Sequence, residues 1–157
     1  MKLLPWFLLP LTLALPVAVL LACRPAASTR PGAELIRFER TACYGPCPVD
    51  VLSIETNGSM RYIGREHGPR TGLFRGQLTP AERTALVRAF EAARFFEFAP
   101  SYTSRATDLP TYYLTFRQGG RTHKVTDYDG GPAALKALEK RLESLIDAPR
   151  WRPQPAR

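Results

Sequence analysis

Two turn signals, each between stretches of alternating apolar and polar residues, constrain the fold of this 157-residue chain more than any other feature. Asn57-Gly58 follows one such stretch, and this dipeptide supplies the positive φ angles of a tight type I′ hairpin. Gly119-Gly120 separates two further alternating stretches in the same way. Because hairpins join neighbouring strands in antiparallel pairs, the chain predicts a mainly antiparallel sheet and not a doubly wound parallel fold.

Two helices are predicted around these hairpins. Thr79 and Glu82 enclose a proline in a capping box, so the first helix begins there. The second helix opens after Pro132 and carries one apolar stripe. The stripe consists of Leu135, Leu138, Leu142, Leu145 and Ile146. The order strands, helix, strand hairpin, helix predicts an α+β domain with a mainly antiparallel sheet and two helices packed on one face.

The N-terminus has the pattern of an export signal. Met1 and Lys2 form a short charged region, and residues 3–21 carry no charge. This stretch ends in the letters LLAC at Cys23, which resemble a bacterial lipobox. The resemblance implies cleavage before Cys23 and lipidation of that residue by fatty acids such as palmitate. An uncleaved signal anchor is the alternative, since roughly 20 apolar residues span a bilayer, but three prolines disfavour a continuous helix here.

These patterns divide the chain into four segments. They are a lipoprotein signal peptide (1–22), a tether (23–33), a single α+β domain (34–148) and a disordered tail (149–157). Proline, glycine and small polar residues without a hydrophobic period indicate that the tether is flexible. The tail contains Pro153 and Pro155 and also lacks a period, so no structure is predicted there.

The net charge of +8 favours an anionic partner. An exported chain does not meet the genome, so no nucleic-acid partner is expected. The anionic candidates outside the cytoplasm are lipid headgroups and envelope polymers. A solvated arginine-rich surface that binds nothing in particular is the alternative. Because Arg24 and not aspartate follows the cysteine of the lipobox, the resemblance implies a lipid-anchored protein of the bacterial cell envelope, at the periplasmic face of the outer membrane.

Cys43 and Cys47 enclose a three-residue turn and form the densest chemical signal. The first hypothesis is a structural disulfide in a compartment that favours oxidation, worth about 2 kcal/mol for so short a loop. A second is copper binding, because the motif with Pro48 resembles that of Sco-type assembly proteins and His123 could be a third ligand. A third is thiol-redox chemistry. Relatives with either activity carry such motifs at a helix start, whereas residues 49–54 predict a strand. We therefore expect the disulfide and no cofactor.

Other polar residues are weaker candidates. His123 shares an alternation face with Val125 and Asp127, which is typical of a partly buried strand histidine. Asp108, Asp127 and Asp129 could supply a carboxylate pair for acid–base chemistry, although Asp108 and Asp129 also suit turns. The sequence contains no nucleotide fingerprint, nucleophile elbow or paired-histidine zinc motif, so a non-enzymatic domain is expected.

Five features taken together resemble one bacterial family. They are CYGPCP at 43–48, the strand and turn at 49–58, YIG at 62–64, TDLP at 107–110 and VTDY at 125–128. They resemble an uncharacterised family catalogued as domain of unknown function 6438, over about residues 34–148. The resemblance implies domain limits and an envelope setting, and it implies no activity. Asp50 departs from the aromatic or apolar residue expected after the motif.

Two functions follow as hypotheses. The first is an envelope-anchored lipoprotein with a small non-enzymatic binding or structural domain, which would meet an envelope protein or an anionic envelope polymer. Its candidate interaction surface comprises Tyr44, Asp108, Asp127 and Tyr128. The alternative is a periplasmic copper-binding or thiol-redox protein that uses Cys43 and Cys47.

Overall fold

The computed structural model describes residues 32–155, in which one eight-stranded sheet is combined with two helices. The strands are β1 (Glu34–Arg40), β2 (Val49–Glu55), β3 (Ser59–Glu66), β4 (Gly72–Gln77), β5 (Ser101–Tyr102), β6 (Tyr112–Gln118), β7 (Arg121–Asp127) and β8 (Arg152–Pro153). The helices are α1 (Pro80–Ala92) and α2 (Ala133–Asp147), and a short 3-10 helix covers Phe95–Glu97. The predicted signal peptide and Cys23 lie outside the described residues. Neither α1 nor α2, the two α-helices of this part of the chain, has the length and apolar character needed to cross a membrane.

The prediction of an α+β domain with a mainly antiparallel sheet and two helices packed on one face is wrong. The molecule is mostly sheet, and a single mixed sheet holds the strands in the order β5-β7-β6-β1-β2-β3-β4-β8. The edge strand β5 runs parallel to β7, with Ser101 opposite Thr126. The prediction failed at the sheet edges because β5 and β8 have two residues each, which is too short to show an alternating pattern.

Both predicted hairpins are confirmed, but the turn at Asn57-Gly58 is not the predicted type I′. The strands β6 and β7 pair antiparallel, and both Gly119 and Gly120 have positive φ angles (58° and 75°), as a type I′ turn requires. The strands β2 and β3 also pair antiparallel. Their turn has a positive φ only at Gly58 (83°), whose N–H donates to the Glu55 carbonyl at 2.9 Å, so it is not type I′.

The start of α1 is confirmed. The Glu82 N–H donates to Thr79 Oγ1 at 3.2 Å, and the Thr79 N–H donates to Glu82 Oε2 at 2.8 Å, which completes the capping box. The stripe of α2 also faces the core, with Leu145 partly buried and the other four residues fully buried. One polar residue of α2, Glu139, is buried beside them.

One continuous hydrophobic cluster, with members on the sheet and on both helices, forms the core, and it extends in sequence from Leu35 to Trp151. Trp151 packs on Tyr62 with ring centroids 5.6 Å apart, and the next two residues form β8 against β4. The described part of the segment 149–157 is therefore ordered, in contrast to the disordered tail expected there. The described residues therefore contain their own hydrophobic core, which a domain needs in order to fold independently.

Candidate binding site

The cysteine motif forms the connection between β1 and β2, and the predicted disulfide is present. Cys43 and Cys47 are bonded with their Cα atoms 5.7 Å apart. Inside the ring, the Cys47 N–H donates to the Gly45 carbonyl at 2.8 Å. The Gly45 N–H points to Cys43 Sγ at 3.1 Å. These bonds close the motif into a compact loop at the end of the sheet.

A second loop, residues 103–111, holds this disulfide loop in place. The Thr41 N–H donates to the Thr111 carbonyl at 3.1 Å, and the Thr111 N–H donates back to Thr41 Oγ1 at 2.9 Å. The Tyr44 N–H donates to the Asp108 carbonyl at 3.4 Å. Three hydrogen bonds thus join the two loops, so the disulfide loop has a fixed position relative to the sheet.

These two loops carry the exposed large hydrophobic side chains of the described chain. Tyr44 is 91% exposed, and Leu109 is 41% exposed. The Leu109 N–H donates to the Tyr128 hydroxyl at 3.4 Å, which ties the second loop to the end of β7. We call the surface formed by Tyr44, Asp108, Leu109 and Tyr128 the loop surface.

The structure brings together three of the four residues predicted for an interaction surface. Tyr44, Asp108 and Tyr128 lie in or beside the two hydrogen-bonded loops. Asp127 does not join them, because its side chain is completely buried. Sequence reasoning missed Leu109, and the nearest signal was its place between Asp108 and Pro110 in a turn.

The structure does not assemble the ligand set proposed for copper. The sulfurs of Cys43 and Cys47 are bonded to each other. His123 Nε2 lies 2.9 Å from the Phe98 carbonyl oxygen, and its ring packs edge-on against Phe95 at 5.7 Å. His123 stands four residues before the end of β7, about 13 Å along the strand from the loop surface. Within residues 32–155 no three histidine, cysteine, aspartate or glutamate side chains form a metal-binding group.

Beneath the disulfide loop, four polar residues that are paired across neighbouring strands point their side chains toward the core. They are Asp50 on β2, Arg40 on β1, Tyr112 on β6 and Asp127 on β7. Each is directly opposite the next across a pair of strands, so all four lie on the same face. We call this set the polar row.

Arg40 and Asp50 form a two-pronged ion pair in the polar row. Arg40 Nε donates to Asp50 Oδ1 at 2.9 Å, and Arg40 Nη2 donates to Oδ2 at 2.5 Å. The Tyr62 hydroxyl donates to the same Oδ2 at 2.9 Å, and Glu143 on α2 accepts from Arg40 Nη1 at 3.2 Å. Burial, and then the charge of Asp50, raise the pKa of Tyr62 far above its ordinary value. Asp50 is 1% exposed, so this network replaces its hydration completely.

The other end of the polar row is neutralised by α2. Lys136 Nζ lies 2.9 Å from Asp127 Oδ2 and 3.3 Å from Glu139 Oε2. Both side-chain oxygens of Asp127 are buried, and Lys136 is the cation that neutralises this carboxylate. Burial lowers the pKa of Lys136, but the hydrogen bond to Asp127 and the charge of Glu139 raise it above its ordinary value overall.

Glu139 has the most altered carboxyl group of this cluster. Burial raises its pKa to about 7, Lys136 opposes the rise, and the neighbouring Asp127 adds to it. A carboxyl group with such a pKa can exchange a proton near neutral pH. Glu139 is 4% exposed and Asp127 is fully buried, so a ligand on the surface does not reach them. The arrangement stabilises the end of the sheet that carries the loop surface.

Two comparisons with known proteins complete the description. A comparison with curated proteins finds no match. A family model described as "Domain of unknown function (DUF6438)" matches residues 34–146, a range that contains the disulfide loop, the second loop and the polar row. This match covers well over half of the chain and confirms the family resemblance. The chain belongs to the family described as Domain of unknown function (DUF6438).

Proposed function

We propose that this protein is an envelope-anchored lipoprotein whose small domain binds an envelope protein, without catalysis, through the loop surface. The observation that carries the proposal is the 91% exposure of Tyr44 on a loop that is closed by a disulfide and joined to its neighbour by hydrogen bonds. Tyrosine is one of the residues most enriched in the energetically dominant contacts of protein–protein interfaces, and here it stands beside the exposed Leu109.

The construction of the loop favours binding by a preorganised surface. A tyrosine has few rotatable bonds and offers both an apolar ring and a hydroxyl, so it loses little conformational entropy in a complex. The disulfide and the bonds to Asp108 and Thr111 remove backbone freedom before the partner arrives. The apolar ring of Tyr44 and the side chain of Leu109 match a protein partner better than an anionic polymer.

The anchor is part of the same proposal and rests on the sequence. Labelling with a palmitate analogue is expected to mark the wild-type chain and to leave Cys23→Ala unmarked, because acylation needs that thiol. Cys43→Ser is the matched control, since it removes a cysteine of the disulfide loop and should leave the labelling unchanged. Equal labelling of wild type and Cys23→Ala would contradict the anchor.

The contact can be tested with a photoreactive phenylalanine analogue at Tyr44. We expect a discrete crosslinked protein product in intact envelopes from this position. The same analogue at the exposed Thr84 on α1 should give none, because that side chain lies outside the loop surface. In the double variant Cys43→Ser and Cys47→Ser the product should weaken severalfold, while the domain loses at most about 2 kcal/mol of stability. The same product from Thr84 would contradict a specific loop surface.

A further inference from the structure

A row of cationic and hydroxyl side chains crosses the face of the sheet opposite the core. In spatial order it comprises Lys124, Thr115, Arg37, Ser53, Arg61, Arg75 and Arg152, one from each of seven adjacent strands. The chain neighbours of these residues, such as Val125 and Tyr62, point into the core. Since side chains alternate along a strand, the row faces away from it. No carboxylate occupies a position in the row.

The arginines of this row differ in how their charge is balanced. Arg37 lies 3.2 Å from Glu39 and 3.8 Å from Glu34, so acidic neighbours neutralise it. At the β8 end of the row Arg61, Arg75 and Arg152 are exposed, and none of the salt bridges found in residues 32–155 includes them. We call these three residues the arginine row.

The spacing of the arginine row makes it a repulsive cluster in the free protein. Arg61 is directly opposite Arg75, and Arg75 is directly opposite Arg152. Neighbouring strands lie about 4.8 Å apart, so the three backbone positions fall within about 10 Å. Like charges placed directly opposite on two strands destabilise a sheet, and an anion that bridges them relieves the repulsion.

The surface beside the arginine row is open and polar. A groove of about 390 Å³ is lined by Arg75, Arg152, Gln77 and Gln154, together with Arg150. Arg150 is paired with Glu82 at 2.7 Å, so the unpaired charge of the groove comes from Arg75 and Arg152. Guanidinium and amide groups at this spacing are hydrogen-bond donors to phosphate oxygens.

The described chain begins beside this surface. The Gly32 N–H donates to Glu55 Oε2 at 2.8 Å, and Glu55 lines a second groove together with Arg61 and Arg75. Residues 23–31 could reach about 30 Å if fully extended. A lipid attached at Cys23 would therefore bring the bilayer surface within reach of the arginine row, and this step rests on the proposed function.

We propose that the arginine row binds the anionic phosphate headgroups of the membrane to which the chain is anchored. Charge complementarity and the place where the described chain begins both favour this occupant over a soluble polymer. Each arginine near an anionic bilayer strengthens binding about fivefold. Three such residues can hold the exposed face of the sheet against the bilayer once the lipid anchor has brought it there.

The test uses the chain 24–157, which keeps the complete core and lacks the acylated cysteine. Its partition to phosphatidylcholine vesicles with and without phosphatidylglycerol is measured by flotation. We expect binding only to the anionic vesicles, and a loss on the order of a hundredfold in the triple variant Arg61→Gln, Arg75→Gln and Arg152→Gln. The control triple variant, Arg88→Gln, Lys140→Gln and Arg141→Gln, removes the same charge from exposed helical positions and should retain most of the binding.

Two outcomes would overturn the inference. An equal loss in both triple variants would mean that only overall charge matters. If the wild-type chain bound soluble polyphosphate but not the vesicles, and the first triple variant lost the polyphosphate binding, the arginine row would be assigned to a polymer. If the first triple variant does not fold, Arg75→Gln and Arg75→Lys replace it, and only Arg75→Lys should keep the binding. Failure of the vesicle test leaves the palmitate labelling of Cys23 unaffected, so the two proposals can fail separately.

Discussion

Replacing Arg40 by alanine is expected to destabilise the domain by about 3–5 kcal/mol, because the buried Asp50 would remain without its partner. Arg40 donates two hydrogen bonds to Asp50 and a third to Glu143. The Tyr62 hydroxyl alone cannot replace a cation next to a carboxylate that is 1% exposed. The free energy of unfolding, measured by urea denaturation, should show the loss.

Arg37→Ala is the matched control on the same strand. Arg37 also has two acidic neighbours, but its side chain is 41% exposed and water screens both pairs. The expected cost is about 1 kcal/mol or less. If Arg40→Ala cost no more than Arg37→Ala, the ion pair beneath the disulfide loop would not be an important element of the fold.

Local signals in the sequence predicted the hairpins and the start of α1, since each depends on a few adjacent residues. The pairing of Arg40 with Asp50 depends on register across a hairpin, which the residue pattern alone did not define. Asp50 was recognised only as a departure from the expected apolar residue. The structure gives its physical role, because Asp50 is directly opposite Arg40 at the base of the disulfide loop.

The exposed part of the candidate site could be predicted where a residue lies in a turn of the sequence. Tyr44 lies between two cysteines in a turn, and connecting segments of this kind run over the protein surface. The prediction placed Asp127 on the interaction surface, although the alternating pattern of the strand put its side chain on the same face as that of Val125. Val125 is buried, and so is Asp127. The buried carboxylate of Asp127 is neutralised by Lys136 on α2. The sequence pattern does not show where Lys136 lies relative to β7, so it could not predict this burial.

The arrangement of the domain separates the two proposed contacts. The described chain begins next to β1 at Gly32, and the disulfide loop follows the other end of β1 at Arg40. These ends are about 20 Å apart along the strand. The side of the domain nearest the proposed anchor therefore differs from the end that presents Tyr44, so the proposed membrane contact through the arginine row would leave the loop surface accessible to the proposed protein partner.

The stability of the domain is expected to fall as the pH rises from about 5 to about 8, because of Glu139. Burial raises its folded-state pKa to about 7 from an ordinary value of 4.5. Below pH 4.5 both the folded and the unfolded chain carry the proton. Between these values the unfolded chain has released a proton that the folded chain still holds, so the free energy of unfolding decreases with pH. The complete loss, reached above pH 7, is about 3 kcal/mol.

Glu139→Gln should abolish most of this slope, because the amide does not titrate. The groups that face Glu139 are Lys136 on the same helix, Asp127 on β7 and Tyr112 on β6, and all three remain in the variant. Urea denaturation at several pH values from 5 to 8 measures the slope for both chains. Glu66→Gln, at an exposed position at the end of β3, is the control and should keep the slope of the wild type. A slope that persists in Glu139→Gln would mean that another group holds the proton in the folded domain.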